Sequence, residues 1–401
     1  MYDAIVVGAR CAGAPAALLL SRAGYRVLLL DKAAYGTDTL STHLIHQPGV
    51  AALARWGLLD RVRASGCPPI GHAVYEVADI HIEGCARGVE GQRAGFAPRR
   101  HVLDTVLVDA AVAAGAEYRD HCRVTGLLRD GTGRVVGVEG QVTGGEDAGD
   151  GRAFTERARL VIGADGMRSS VAHLVDAPYT VRDPRLTCAY YTYWRDVPAD
   201  LELYERPGGW VATVPTNDAA TLVLAYFPQS RFTEVRADAY GAYREQIRTT
   251  APALDERLAG STPAERLHGT GDQQNFFRRA AGPGWVLLGD AAHHKDSITA
   301  RGISDAFQRV EALVAAVARP LDGDPDRLDA ALARFADEGV ERLMPGYEAT
   351  LGAARLDPHA QRLSLLRAVQ SDPELTAIYL DVVAGIVPAS ALYTPRLLAL
   401  L

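Results

Sequence analysis

The residues Gly8-Ala9-Arg10-Cys11-Ala12-Gly13 form a G-x-G-x-x-G pattern with Arg10 at the second glycine. Gly8 suits a tight turn, and Gly13 allows a helix to approach a strand. The free N–H groups of a helix starting there can bind a pyrophosphate. A side chain at position 10 must turn away from that phosphate or contact it, so Arg10 is a candidate phosphate ligand with Ala9, Cys11 and Ala12 around it. Asp31, followed by Lys32, ends the next apolar run, where a carboxylate binds ribose hydroxyls. The chemistry expected of this constellation is the binding of a dinucleotide.

Two further glycine–aspartate sites follow much later. One is Leu160-Val161-Ile162-Gly163-Ala164-Asp165-Gly166; the other is Leu288-Gly289-Asp290-Ala291-Ala292-His293, running on through His294-Lys295-Asp296-Ser297 to Arg301-Gly302-Ile303. Lysine occurs only at Lys32 and Lys295, which makes Lys295 conspicuous, with pairing to Asp296 as its plain structural explanation.

The elements that must position these residues are legible from periodicity. Ala4–Val7 and Val27–Leu30 are short unbroken apolar runs, as strands buried on both faces require. Between them Gly13–Arg22 reads as a helix closed by Gly24, completing a βαβ unit. Arg99 to Gly115 is an amphipathic helix. Val124–Leu128 and Val135–Val142 flank Asp130-Gly131 as a hairpin, and a Gly/Asp-rich loop spans 144–151. Residues 187–230 hold further strands, among them Tyr190-Tyr191-Thr192-Tyr193-Trp194, whose side chains alternate between two faces. The remainder, 326–401, reads as helices broken at Pro345, Pro358, Pro373 and Pro388, with Val382–Pro395 as a core or capping helix too short to span a bilayer.

Composition narrows the partners. The chain has 401 residues, 48% hydrophobic and 23% charged, with a formal net charge of −7. That balance supports a sizeable core and offers no global attraction to nucleic acid or anionic membrane. The five cysteines are scattered without a C-x-x-C pair, which fits reduced thiols, not a disulfide framework or metal site. No leader is read at the start, and the expected location is cytoplasmic.

Taken in order, the three fingerprints resemble FAD-dependent monooxygenases of the para-hydroxybenzoate hydroxylase type, a group A superfamily whose wider relatives include flavin halogenases and geranylgeranyl reductases. The resemblance covers about residues 1–320. It implies an α/β chain: a Rossmann-like FAD-binding domain (1–72, 99–180 and 281–320), an inserted antiparallel-sheet substrate domain (73–98 and 181–280) and C-terminal helices (321–401). It also implies that the first fingerprint binds the ADP half of FAD, that Asp165 and Gly166 lie near the pyrophosphate, and that Gly289 and Asp290 hold the ribityl chain. Arg100 matches an arginine that reaches the phosphate, and Val124 a residue whose backbone contacts adenine. By the same resemblance Ser41, Thr42 and His43 lie beside the flavin. The helix from Gly302, with Arg301 and Ile303, aims its positive end at the pyrimidine edge of the ring. Lys295 then stands close to the ring, and His43, His46 or His294 is placed for proton transfer.

The implied activity is a monooxygenase using NAD(P)H and O2, through a flavin hydroperoxide, on a small, mostly apolar, aromatic substrate of secondary metabolism, as a monomer or homodimer. Electrons come from NAD(P)H docking at the flavin or from a separate flavin reductase. Tyr191, Tyr193, Trp210 and Tyr226 are the expected pocket residues. A reductase of isoprenoid double bonds is the rival reading, and a non-catalytic flavoprotein a third. Trp210-Val211-Ala212-Thr213-Val214-Pro215 resembles the halogenase W-x-W-x-I-P segment, but Ala212 replaces its second tryptophan and no lysine lies between Lys32 and Lys295, which argues against halide chemistry.

Overall fold

A computed structural model describes residues 1–144 and 151–401; most of the loop expected at 144–151 lies outside the described residues. The opening strand β1 (Tyr2–Val7) is central to a parallel sheet, paired on one side with β2 (Val27–Leu30) and on the other with Ala153–Gly163. Trp285–Leu287 continues the sheet beyond Ala153–Gly163, and Glu117–Arg119 extends it beyond β2. β1 and β2 are nearly unbroken apolar runs because both faces are covered, one by helices and the other mainly by the hairpin strands Cys122–Arg129 and Val135–Val142. Helix α1 (Gly13–Arg22) packs on Arg100–Ala113 and on Gly302–Val317. The hairpin Cys122–Arg129/Val135–Val142 pairs with the first half of Ala153–Gly163, whose second half enters the parallel sheet.

The second sheet has seven strands: His268–Thr270, Thr187–Arg195, Ala220–Pro228, Gly209–Pro215, Leu201–Arg206, Ala73–Val77 and Ile80–Gly84, in that order. It is antiparallel except between Leu201–Arg206 and Ala73–Val77, which run parallel. Both faces are covered, so period-2 alternation separates two cores. Tyr191, Tyr193, Trp210 and Tyr226 join one with C-terminal helices, and Tyr190, Trp194 and Tyr204 join the other with Ala239–Thr250 and Pro252–Leu258.

The C-terminal segment corrects two expectations. Pro345 breaks nothing: Pro325–Ala354 is one helix with this proline inside it. The missing N–H costs on the order of 3 kcal/mol, and the packing of Leu328, Leu332, Phe335 and Tyr347 outweighs it. Val382–Pro395, in contrast, is no single helix. Pro373–Val383 ends there, Gly385 turns at φ +72°, and a short 3-10 turn, Ala389–Leu392, follows Pro388. No described helix is long and apolar enough to cross a membrane.

Candidate active site

The three fingerprints converge on one cavity of about 540 Å³. Their glycines are required by contact as well as by turn geometry. A Cβ on Gly13 would lie 1.7 Å from the carbonyl oxygen of Gly8. Gly8 adopts φ +102°, and a Cβ there would meet the Ala164 carbonyl at 2.4 Å, so the first and second fingerprints touch backbone to backbone. Asp31 accepts from the N–H of Ala9 (2.7 Å) and of Ala33 (2.8 Å), tying the end of β2 to the first loop. Asp165 accepts from Ser169 Oγ and from the N–H groups of Ser170 and Val171, capping the short helix that follows. Buried Arg100 forks onto Asp104, whose other neighbour, the Cys11 thiol, is pushed up to about 12 by burial.

Along the same cavity Asp290 is exposed and makes no side-chain hydrogen bond among the described residues. The first-turn N–H groups at Gly302 and Ile303 border the far end. Lys295 is buried and pairs with Asp305 Oδ2 at 2.5 Å, not with Asp296. Burial acts to raise the Asp305 carboxyl, but the charges of Lys295 and Arg301 hold it below the ordinary carboxylate range. His294 also borders the cavity; its Nδ1 is taken by the Gln274 carbonyl and its ring stacks on Phe276. Burial, reinforced by the Lys295 charge, pushes His293 down to about 3. His43, at φ +60°, lines neither this cavity nor the next. Its Nε2 bonds Tyr193 Oη at 2.5 Å, and burial with the Arg100 charge pushes it down to about 3. His46, pushed down to about 4 by burial and Arg301, bonds the Thr299 carbonyl. His43, His46 and His293 are neutral near pH 7, so none of these three is a charged proton donor there.

A second cavity of about 700 Å³ abuts the first, and Thr42, Ser297, Ala300, Arg301, Asp305 and Leu343 line both. Its floor is the second sheet, with Tyr75, Trp210, Leu224 and Tyr226; its roof is the C-terminal segment, from Leu343 through Ala353 and from Tyr379 to Ala389. Of the four aromatic residues expected to line a pocket, Trp210 and Tyr226 do so. Tyr191 and Tyr193 do not, because the 41–43 segment covers them: Ser41 N–H donates to Tyr191 Oη, and His43 meets Tyr193. At one end buried Glu205 is clamped by Arg362 (2.7 and 2.9 Å) and by Tyr75 Oη (2.5 Å). Arg301 reaches a niche that two glycines of the roof leave open; a Cβ on Gly385 would lie 2.3 Å from its guanidinium.

A family profile described as an FAD binding domain matches residues 1–338. The chain belongs to this FAD-binding family. It is an FAD-dependent oxidoreductase. Among curated proteins it is 28% identical over 320 residues to digeranylgeranylglycerophospholipid reductase of Methanocella arvoryzae, covering 76% of this chain and 74% of that one. It is 26% identical over 333 residues to 6-methylpretetramide 4-monooxygenase of Streptomyces rimosus, covering 76% and 72%. Among solved structures, a flavin-dependent brominase superposes with a TM-score of 0.83 at 17% identity, over 99% of this chain and 96% of that one. A probable FAD-dependent monooxygenase of Pseudomonas aeruginosa gives 0.73 at 21%, over 94% and 99%. These structural likenesses show the shared fold.

The first cavity fits the cofactor of this FAD-binding family. Its glycine cradle admits no Cβ at Gly8 or Gly13, a carboxylate without a side-chain partner among the described residues stands at Asp290, and a helix start closes the far end. Gly8, Arg10, Cys11, Ala12, Asp31, Lys32, Arg100, Val124, Asp165 and Gly166 surround the end where the ADP half would lie. Thr42, Asp290, Lys295 and Arg301 to Ile303 surround the end that opens on the second cavity. Sequence reasoning missed Arg309, which borders the first cavity with its Nη2 on the Phe335 carbonyl at 2.6 Å, and Arg362 at the second. Neither sits in a motif; the only trace is glycine inside helical pattern, since Gly339 packs against Arg309 with no room for a Cβ.

Proposed function

We propose that this FAD-dependent oxidoreductase is a monooxygenase that takes electrons from NAD(P)H and oxygenates a small, mostly apolar, aromatic substrate with O2. The observation that carries this reading is the junction of the two cavities: a roofed chamber walled by Trp210, Tyr226, Leu224 and Tyr75 opens on the flavin cavity at Thr42, Ser297, Ala300 and Arg301. A planar ring fits such a wall, and a roof over the junction excludes water. The relative from Streptomyces rimosus, named a monooxygenase, supports the same reading.

FAD, when bound, supplies the redox and oxygen chemistry. The chain supplies position and charge. Asp290 holds the sugar-alcohol arm. The start of Gly302–Val317 and the Arg301 guanidinium set a positive field at the junction, where Asp305 offsets the charge of Lys295. Arg301 lies between the two chambers with its guanidinium free of ion pairs among the described residues. NAD(P)H docks transiently at the junction, or a separate flavin reductase delivers the electrons.

A second reading, reduction of isoprenoid double bonds, draws on the relatives named as reductases and on the apolar length of the roof. An oxygen electrode separates the two. Purified holoenzyme given NAD(P)H and an aromatic panel should consume O2 with substrate-stimulated NAD(P)H oxidation. Anaerobic turnover of a prenyl substrate with a chemical electron donor, without O2 uptake on any aromatic compound, would establish the second reading instead.

A further inference from the structure

At the junction of the cavities a chain of five buried or half-buried polar side chains runs from the protein interior to the substrate chamber. Asp296, 1% exposed, accepts from Thr187 Oγ1 at 2.6 Å. Thr187 Oγ1 accepts from Gln273 Nε2 at 2.7 Å. Gln273 Oε1 accepts from Ser297 Oγ at 2.5 Å and from Ser297 N–H at 3.1 Å. Ser297 Oγ lies 3.0 Å from Tyr226 Oη, where either atom alone could donate.

The chain settles that ambiguity. An ionised carboxylate only accepts, so Thr187 must give its hydrogen to Asp296. Asp296 is held in place independently: its backbone N–H donates to Asn275 Oδ1 and its Oδ1 accepts from Ile298 N–H. The amide of Gln273 cannot turn round, because the Ser297 backbone N–H needs an oxygen opposite it. Ser297 therefore spends its hydroxyl hydrogen on Gln273, and the hydrogen between Ser297 and Tyr226 is the phenol's. The Tyr226 proton points inward. What remains toward the chamber is a lone pair on its oxygen, and burial pushes the phenol's pKa up, so the proton stays on.

Resting on the second cavity as the substrate site of the proposed function, we propose that Tyr226 is a specificity residue that presents only a hydrogen-bond acceptor beside the flavin, and so selects aromatic substrates carrying a hydroxyl or N–H donor at the end nearest the ring. An ether or carbonyl oxygen set there faces another acceptor, and both go unsatisfied.

The test is binding to the FAD-loaded enzyme, followed by perturbation of the flavin absorbance, with two probes of similar shape: 1-naphthol and 1-methoxynaphthalene. The donor probe should bind roughly tenfold tighter, the worth of one satisfied against one frustrated hydrogen bond. Tyr226→Phe should equalise the two. Ser297→Ala removes the acceptor that holds the Tyr226 hydrogen, leaves the Ser297 backbone bond to Gln273 intact, and lets the hydroxyl rotate toward the chamber. Affinity for the methoxy probe should then rise, which a purely structural role for Ser297 would not produce. Equal affinities in the unaltered enzyme, or a preference that survives Tyr226→Phe, overturn the assignment while leaving the cavity as the substrate site. No spectral response to either probe at saturation overturns both.

Discussion

Single residues carry distinguishable duties at this site. Asp290 has no side-chain partner among the described residues while its neighbours at Asp31 and Asp165 are occupied by backbone N–H groups, so Asp290 is the carboxylate available to a bound cofactor. Asp290→Ala is expected to purify mostly colourless, and full flavin absorbance at the usual stoichiometry would remove that duty. Lys295 calls for a paired substitution, since its loss alone strands Asp305 in the interior at a cost of about 3–5 kcal/mol. Lys295→Met with Asp305→Asn should keep FAD yet slow NAD(P)H-driven turnover about tenfold or more; unchanged turnover would show the pair to be a buried clamp only. At the opposite end, Arg362→Leu uncovers Glu205, which has no exposure, and should cost about 3–5 kcal/mol in urea unfolding. Adding Glu205→Gln should restore much of it, the coupling that marks a true pair.

Among elements, the opening βαβ unit was the most readable part of the chain because its constraints are local. A Cβ at position 13 has nowhere to go, whatever the rest of the molecule does. Gly13→Ala must separate α1 from the turn at Gly8, and the expected result is insoluble or flavin-free protein, with loss above about 3 kcal/mol if it folds; a stable yellow variant would contradict the contact. The aromatic strand was half readable. Alternation told which face Tyr191 and Tyr193 share with Trp210 and Tyr226, but not which part of that face another segment covers, because the 41–43 loop comes from a distant stretch of chain. The roof was unreadable for a related reason: an amphipathic helix with a Leu/Ala stripe looks alike whether its stripe meets a core or a chamber. Pro345 misled because a break is a local expectation that packing can override. Lys295 was singled out by scarcity, and its partner ten positions on became visible only once the loop folded back on the helix.

The whole molecule stores several neutral imidazoles. His43, His46 and His293 sit at about 3, 4 and 3, against 6.5 when exposed. Below pH 6.5 the unfolded chain protonates all three and the native chain none, so stability falls as pH falls toward 4. Asp296 works the other way: burial pushes it up to about 6 from 3.8, and between those values the native state keeps a proton the unfolded state has released. Three protons against one leave a net uptake of about two on unfolding near pH 5, a slope of about 3 kcal/mol per pH unit. Urea titrations of the holoenzyme from pH 7.5 to 5 should show it, and His293→Asn should reduce it by about half; a flat profile would mean the imidazoles are not held neutral. One more consequence lies in where the roof comes from. The family match ends at residue 338, yet the chamber's cover runs from Leu343 to Ala389. The chamber's floor, with Tyr226, thus lies inside the matched part and its roof outside it, and exchanging tails between homologues would retune selectivity while the coloured half of the protein keeps its chemistry.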